Sequence, residues 1–286
     1  MIFGIVGPTA THKSELAEFM ANLYNAEVIN FDAYQVYIEL NKGTAKPSEE
    51  FLRNHPNYHL YNFRSINNPY DVATFQKDGR KLLDLYKDKN IVLVGGTGLY
   101  LKALIYDYKF LNEESMPIDF LKDLSNDELY LKLKDIDELD ALKIGNHNRK
   151  RLLRSLYIYE THKKSKTQLN NNGKDKLLYD IKLIGINPKR EILYDNINSR
   201  VDKMIENGLL DEINDIKKKF KEPNRALQAI GYKEFFLNLP LNDTIELIKK
   251  NTRHYAKRQL TFFKNQFNNV EWYESIIDII KKYEHD

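Results

Sequence analysis

Short apolar runs alternate with helical patterns through the first hundred residues. Mostly apolar runs at 2–6, 28–31 and 91–94 predict strands that are buried on both faces. Between the first two runs, Leu16 and Met20 recur at helical spacing, and a second amphipathic helix is expected from about residue 71 to 86. Alternating strands and helices predict an α/β fold with a parallel sheet and helices on both of its faces.

The middle of the chain has a different pattern. Strand runs are missing between about residues 113 and 172, whereas leucines recur at helical spacing from Leu129 to Leu156. The Asn-Asn-Asn-Gly segment at 170–173 predicts a loop. We therefore expect an all-helical insertion domain over 113–179, placed within a core formed by 1–112 and 180–286.

After the insertion, an apolar run at 180–186 predicts one more strand, and the remaining pattern predicts helices to the end. Gly208 stands where a helix would end on a glycine. Asp243 is a candidate N-cap for a long helix from about residue 244 to 267.

Composition narrows the class of protein. The 286 residues include 30% charged and 42% hydrophobic residues, which is typical of a globular protein. No cysteine is present, so disulfides and thiolate metal sites are excluded. The apolar N-terminus is too short for a signal peptide and no run is long enough to span a membrane, so a cytoplasmic protein is expected. A net charge of +3 does not by itself indicate a nucleic-acid partner.

The segment between the first strand and the first helix has the pattern of a phosphate-binding loop. A loop of this kind aims backbone N–H groups and a helix N-terminus at an anion, as in ATP-binding proteins. Lys13 would reach the phosphate and the Ser14 hydroxyl would ligate Mg²⁺. His12 replaces the second glycine of the usual pattern, so an ordinary strand-turn-helix remains an alternative. The predicted diphosphate ligands in this loop are Gly7, Thr9, Ala10, Thr11, His12, Lys13 and Ser14.

Five further motifs follow in order. They are FDAYQVY at 31–37, GTAKP at 43–47, VGGTGLY at 94–100, AIGYKE at 229–234 and TRHYAKRQLT at 252–261. With the loop, they resemble the tRNA dimethylallyltransferase (tRNA isopentenyltransferase) family over nearly the whole chain. The resemblance implies a P-loop kinase-like core, Mg²⁺, and transfer of a dimethylallyl group from dimethylallyl diphosphate. The acceptor would be the N6 amine of the adenosine 3′-adjacent to the tRNA anticodon.

The resemblance also assigns roles to single residues. Asp32, just beyond a strand end where parallel sheets bind ligands, matches the family's general base, although a helix N-cap or a magnesium ligand are alternatives. Thr97 matches a threonine at the reacting centre, and an ordinary turn is its alternative. Arg200 matches a diphosphate-binding arginine and is otherwise a surface residue of a helix.

Basic residues at helical spacing predict the tRNA contacts, because such stripes neutralise phosphates. Family motifs add residues that would touch the target base, which must be flipped from its stack. The predicted tRNA-binding residues are Ala33, Tyr34, Gln35, Lys150, Arg151, Arg154, Gly231, Tyr232, Lys233, Arg253, Lys257 and Arg258. A monomer without membrane contact is expected.

Two other functions compete with this prediction. A small-molecule kinase with a phosphate loop could use the same loop and Asp32, but it leaves the motifs after residue 228 unexplained. A catalytically impaired tRNA-binding relative is favoured only by His12.

Overall fold

The structure is a computed structural model that describes residues 1–110, 121, 123–170, 176–220 and 224–284. The start of the expected insertion and positions 171–173 of the expected loop lie outside these residues. The chain divides into two compact units, one of Met1–Ile105 with Tyr179–Asp286 and the other of Tyr106–Leu178.

A six-stranded sheet forms the centre of the first unit. Its strands are β1 (Ile2–Val6), β2 (Glu27–Asn30), β3 (Tyr58–His59), β4 (Ile91–Val94), β5 (Ile181–Ile186) and β6 (Val270–Tyr273). They are ordered β3-β2-β4-β1-β5-β6, and each neighbouring pair is parallel. The predicted α/β class with a parallel sheet is confirmed, and so are the bounds of β1 and β4.

Helices account for most of the remaining described residues. They are α1 (Lys13–Tyr24), α2 (Glu49–Asn54), α3 (Val72–Leu85), α4 (Gly98–Ile105), α5 (Asn126–Ile136), α6 (Glu138–Ile144), α7 (Arg149–His162), α8 (Lys166–Asn170), α9 (Arg190–Glu206), α10 (Leu209–Lys219), α11 (Leu241–Gln266) and α12 (Ile276–Tyr283). Short 3₁₀ turns lie at Ala226–Gln228 and Lys233–Phe236. In the described part of the chain, no helix is long and apolar enough to cross a membrane.

One apolar core of the first unit lies between the sheet and the helices α1 and α12. Its buried side chains include Phe3, Leu16, Met20, Ile184 and Ile279, each at most 2% exposed. The apolar face that the sequence showed in α1 therefore packs on the central strands. This packing fixes the start of α1 beside the end of β1, where the phosphate loop lies.

Two strands at the sheet edges were missed by the sequence prediction. β3 has only two residues, both partly exposed. β6 has four residues, Val270, Glu271, Trp272 and Tyr273, which are all partly exposed. Neither has the continuous apolar run of a central strand. The prediction of helices from β5 to the end was therefore wrong at β6.

The sequence predicted the end of α9 correctly but not the N-cap of α11. Gly208 follows the C-cap Asn207 of α9 with a φ of 91°, as expected for a glycine just past a helix end. The long helix α11 begins at Leu241 after Pro240, so Asp243 lies in its first turn and is not its N-cap.

The second unit has its own core. Leu129, Leu133, Leu152 and Leu156 pack together from α5 and α7, whereas Leu131, Leu139 and Leu142 are exposed. A buried polar network joins α6, α7 and α8, because Asp140 accepts hydrogen bonds from Ser155 and Lys166.

The two ends of this unit are paired. Tyr106 and Leu177 form an isolated antiparallel bridge, and the Asp107 N–H donates to the Lys176 carbonyl at 2.9 Å.

Candidate active site

The phosphate loop is built from residues with unusual backbone angles. Gly7 has a φ of 148°, and a Cβ there would lie 2.6 Å from the Ile186 carbonyl oxygen, so the position requires glycine. Ala10 and His12 have φ values of 61° and 60°, in the left-handed region. His12 therefore adopts the conformation for which other phosphate loops use glycine. Its ring is half-exposed, with Nδ1 2.7 Å from Glu15 Oε1.

Two hydrogen bonds connect the end of the loop and the start of α1 to the Pro8 carbonyl. The Thr11 hydroxyl donates to the Pro8 carbonyl at 2.8 Å, and the Lys13 ammonium donates to the same oxygen at 2.5 Å. The Lys13 side chain is thus folded back across the loop.

Lys13 and Arg200 line the same cavity beside the loop. Withdrawal from water and the positive charge of Arg200 lower the pKa of Lys13 to about 7, while Asp32 opposes this effect. Withdrawal from water also lowers the pKa of Arg200, again opposed by Asp32. Two positive charges that are withdrawn from water destabilise the protein unless an anion binds between them. The arrangement of Lys13 and Arg200 therefore favours binding of a polyanion.

Asp32 lies just past the end of β2 and opens no helix. Residues 31–48 are described and contain none, so the alternative of a helix N-cap is excluded. Its Oδ1 accepts a hydrogen bond from the Tyr34 N–H at 2.9 Å. The Ala33 N–H donates to the Thr97 hydroxyl at 3.0 Å. Thr97 therefore holds the backbone that follows Asp32.

Gln259 of α11 is a site residue that the sequence analysis missed. Its side chain is 5% exposed and has two partners. Its oxygen accepts from the Thr9 N–H at 2.9 Å, and its nitrogen donates to the Gly96 carbonyl at 2.8 Å. A Cβ at Gly96 would lie 2.6 Å from Gln259 Nε2 and 3.0 Å from Asp32 Oδ2. Gln259 thus joins the phosphate loop to the strand end beside Asp32.

One cavity of about 800 Å³ brings most of the predicted residues of the first unit together. Its lining includes the predicted residues Thr9, Ala10, Thr11, His12, Lys13, Ser14, Asp32, Tyr34, Gln35, Arg200, Gly231, Lys233 and Arg258. The other predicted residues of this unit, Gly7, Ala33, Thr97, Tyr232, Arg253 and Lys257, support its wall or lie outside it. The cavity therefore joins the phosphate loop to Asp32.

The predicted tRNA contact of Tyr232 is wrong. Its side chain is 0% exposed, and its hydroxyl is bonded to Glu212 and to the Gly43 N–H. Its neighbour Gly231 is also buried, and its N–H donates to Glu234. The sequence could not separate a buried tyrosine from an exposed one within this motif.

The basic candidates have different surroundings. Lys257 and Arg258 are exposed on α11, whereas Arg253 is partly buried and donates to Asn198 Oδ1 at 2.6 Å. The candidates Lys150, Arg151 and Arg154 are all exposed on α7, in the second unit.

Comparison with known proteins decides the family. A family profile described as "IPP transferase" matches residues 35–266, most of the chain. The chain belongs to the IPP transferase family. The predicted family is therefore confirmed.

Two relatives match this chain over more than nine tenths of both chains, and a third is a longer protein. A "tRNA dimethylallyltransferase" from Anoxybacillus flavithermus is 40% identical, over 96% of this chain and 91% of its own. A solved "tRNA delta(2)-isopentenylpyrophosphate transferase" from Staphylococcus epidermidis is 33% identical, with a TM-score of 0.70 over 99% of this chain and 98% of that one. A "eukaryotic dimethylallyltransferase acting on tRNA" is 29% identical, with a TM-score of 0.80 over 92% and 69% of the two chains.

Proposed function

We propose that this protein transfers a dimethylallyl group from dimethylallyl diphosphate to the N6 amine of the adenosine 3′-adjacent to the anticodon of tRNA. One observation carries the proposal: a single cavity joins the phosphate loop, Lys13 and Arg200 to the carboxylate of Asp32. Such a cavity would bind the diphosphate at its anion site and bring the adenine amine to the proton acceptor Asp32. The names of the relatives support this reaction over a kinase reaction.

The diphosphate would lie at the phosphate loop. The reaction breaks the bond between the allylic carbon and oxygen, so negative charge grows on the departing pyrophosphate. Lys13, Arg200 and the N–H groups at the start of α1 are fixed before the reaction and stabilise that charge. The cost of holding the two cations together is offset when the diphosphate binds.

Asp32 is proposed as the general base. The N6 nitrogen forms the new bond to carbon and gives up one proton, which the Asp32 carboxylate accepts. One oxygen of Asp32 is held by the Tyr34 N–H, which orients the carboxylate. Thr97 keeps the following backbone in place, so we propose that it supports the base from behind.

The chain fits a Mg²⁺ that is bound mainly through the substrate. Among the described residues, no cluster of three His, Asp or Glu side chains could hold a metal. Mg²⁺ commonly uses one or two protein oxygens together with phosphates and water. Ser14 lines the cavity, and its hydroxyl offers such an oxygen. Bound there, Mg²⁺ would neutralise charge on the diphosphate.

The proposed tRNA contacts lie in both units. We propose that Ala33, Tyr34 and Gln35, which follow Asp32, meet the flipped adenine; Tyr34 and Gln35 line the cavity. The cations that would bind phosphates are Arg258, Lys257 and the partly buried Lys233 near the cavity, and the exposed Lys150, Arg151 and Arg154 on α7. We propose that the protein acts on tRNA as a monomer in the cytoplasm.

Incubation with dimethylallyl diphosphate, Mg²⁺ and tRNA tests this function. We expect the adenosine beside the anticodon to gain the mass of a dimethylallyl group in nucleoside mass spectrometry. A tRNA with guanosine at that position should gain nothing. Asp32→Ala should reduce transfer by at least about a hundredfold, as loss of a general base typically does, with tRNA affinity retained. The matched control Asp215→Ala removes an exposed carboxylate of α10 and should keep full activity.

Other outcomes would favour the competing functions. Phosphate transfer from ATP without prenyl transfer would indicate a kinase. Binding of tRNA without any mass gain would indicate an impaired relative. Full activity of Asp32→Ala would remove this carboxylate from the mechanism.

A further inference from the structure

Glu212 of α10 holds a loop that lines the active-site cavity. Its carboxylate accepts hydrogen bonds from the N–H groups of Asn41 and Lys42, at 3.0 to 3.2 Å. It also accepts from the Tyr232 hydroxyl at 2.6 Å. That hydroxyl in turn accepts from the Gly43 N–H at 3.0 Å. Successive N–H groups of the loop at 41–43 are thus bound by one carboxylate–phenol pair.

Tyr232 is built tightly into this arrangement. Its ring lies under Gly43, where a Cβ would come within 2.4 Å of Tyr232 Cε2. Burial and the charge of Glu212 raise its pKa well above its usual range, so the phenol stays a neutral donor. The glycine of the GTAKP motif and the tyrosine of the AIGYKE motif are therefore required by the same contact.

The loop held in this way presents one carbonyl group to two side chains. The Thr44 carbonyl accepts from Gln35 Nε2 at 3.1 Å and from Arg200 Nη2 at 3.3 Å. Gln35 is proposed to meet the adenine, and Arg200 is proposed to bind the diphosphate. The two proposed substrate contacts thus share one backbone acceptor.

We propose that Glu212 and Tyr232 are positioning residues that set the Thr44 carbonyl, and through it orient Arg200 for the diphosphate and Gln35 for the acceptor base. Glu212 and Tyr232 do not line the cavity themselves. Their proposed effect on binding passes through the loop at 41–44, which does line it. The part of this inference that concerns adenine as the acceptor base rests on the proposed function. The expected effect of Glu212 and Tyr232 on anion binding through Arg200 does not.

Tyr232→Phe is the direct test, because it keeps the buried ring and removes both hydrogen bonds of the hydroxyl. We expect pyrophosphate affinity, measured by calorimetry, to fall about threefold to tenfold, the usual effect of losing one or two hydrogen bonds. The KM values for dimethylallyl diphosphate and tRNA should both rise. The matched control Tyr70→Phe also removes a hydroxyl that donates to a carboxylate, that of Asp78 outside the cavity. It should change neither affinity.

A double-mutant cycle separates positioning from a general loss of structure. In an Arg200→Ala background, Tyr232→Phe should leave pyrophosphate affinity unchanged, since the residue it orients is gone. In a Gln35→Ala background, it should likewise leave tRNA affinity unchanged. An equal loss of affinity in the single and double variants would overturn the proposal, as would wild-type affinity in Tyr232→Phe.

The cycle also keeps this inference apart from the proposed function. Pyrophosphate binding is measured without any transfer, so it reports on Tyr232 even if wild-type protein fails to prenylate tRNA. Transfer by the wild type with no effect of Tyr232→Phe would leave the proposed function intact and reject the positioning role.

Discussion

At the scale of single residues, Lys13 shows how the chain prepares for its ligand. Its ammonium lies beside Arg200 and is withdrawn from water, so its pKa falls to about 7. Both effects disfavour the charged form, and a bound diphosphate would favour it. Binding and protonation of Lys13 are therefore expected to be coupled.

This coupling predicts proton uptake when pyrophosphate binds. At pH 8 most Lys13 is neutral in the free protein, and the anion raises its pKa, so binding should take up close to one proton. Affinity should fall as pH rises above about 7, by at most about tenfold per pH unit. Calorimetry in buffers of different ionisation enthalpy measures the uptake. Arginine stays charged, so the Lys13→Arg variant shows how many protons pyrophosphate itself takes up on binding. Equal proton uptake by the wild type and by Lys13→Arg would contradict the coupling.

The sequence predicted the residues of the site that belong to local patterns. The phosphate loop and Asp32 follow strand ends, where a single sequence shows their setting. Gln259, Glu212 and Tyr232 act across 250, 171 and 189 positions of the chain, on Thr9, Asn41 and Gly43. No local pattern reports such contacts. The left-handed backbone at His12 was equally hidden, and it explains how the loop keeps its shape without glycine.

At the scale of elements, α11 does more than carry basic residues. The sequence predicted that this helix binds tRNA through Arg253, Lys257 and Arg258. The structure adds Gln259 on the buried face of the same helix, bonded to the phosphate loop and to Gly96. One helix therefore contacts the phosphate loop on its buried face and carries the exposed cations Lys257 and Arg258.

Gln259→Leu tests this link between α11 and the loop. The substitution keeps the side-chain volume and removes the acceptor of the Thr9 N–H. It also leaves the Gly96 carbonyl with only the 3.5 Å hydrogen bond from the Tyr255 hydroxyl. We expect the free energy of unfolding to drop by about 1–3 kcal/mol, the typical cost of unpaired buried groups, and pyrophosphate affinity to weaken. Chemical denaturation and calorimetry measure the two effects. Gln266→Leu, at the exposed end of the same helix, is the control, and equal effects of both substitutions would reject the link.

The sequence predicted the central strands of the sheet but not its edge strands. The central strands β1 and β4 have continuous apolar runs and were found within their bounds. The edge strands β3 and β6 mix polar and apolar residues and were missed. β6 is placed by a tertiary contact, since Gly185 of β5 makes room for Trp272. A contact of this kind leaves no periodic signal.

At the scale of the whole molecule, the two units have separate cores. Among the described residues, two apolar clusters of the first unit contain only residues of that unit, and a cluster of the second unit contains only residues between 121 and 156. The first unit carries the cavity, and the second carries the exposed cations Lys150, Arg151 and Arg154 on α7. Folding and anion binding by the first unit should therefore not depend on the second.

Replacing residues 106–178 by a short glycine linker tests this independence. The shortened protein should fold cooperatively and bind pyrophosphate within about twofold of the full chain. Its tRNA affinity should drop at least tenfold, because several phosphate contacts are lost together. The full chain with alanine at Lys150, Arg151 and Arg154 serves as a control for charge alone. Unchanged tRNA affinity in the shortened protein would rule out a role of this unit in binding.

The bridge between Tyr106 and Leu177 has a practical consequence for protein engineering. Because the inserted segment leaves and rejoins the chain at neighbouring points, it occupies the position of a single surface loop. Another domain with adjacent termini could be grafted there without changing the order of the sheet. The first unit, with its cavity, could then be combined with a domain of known nucleic-acid specificity.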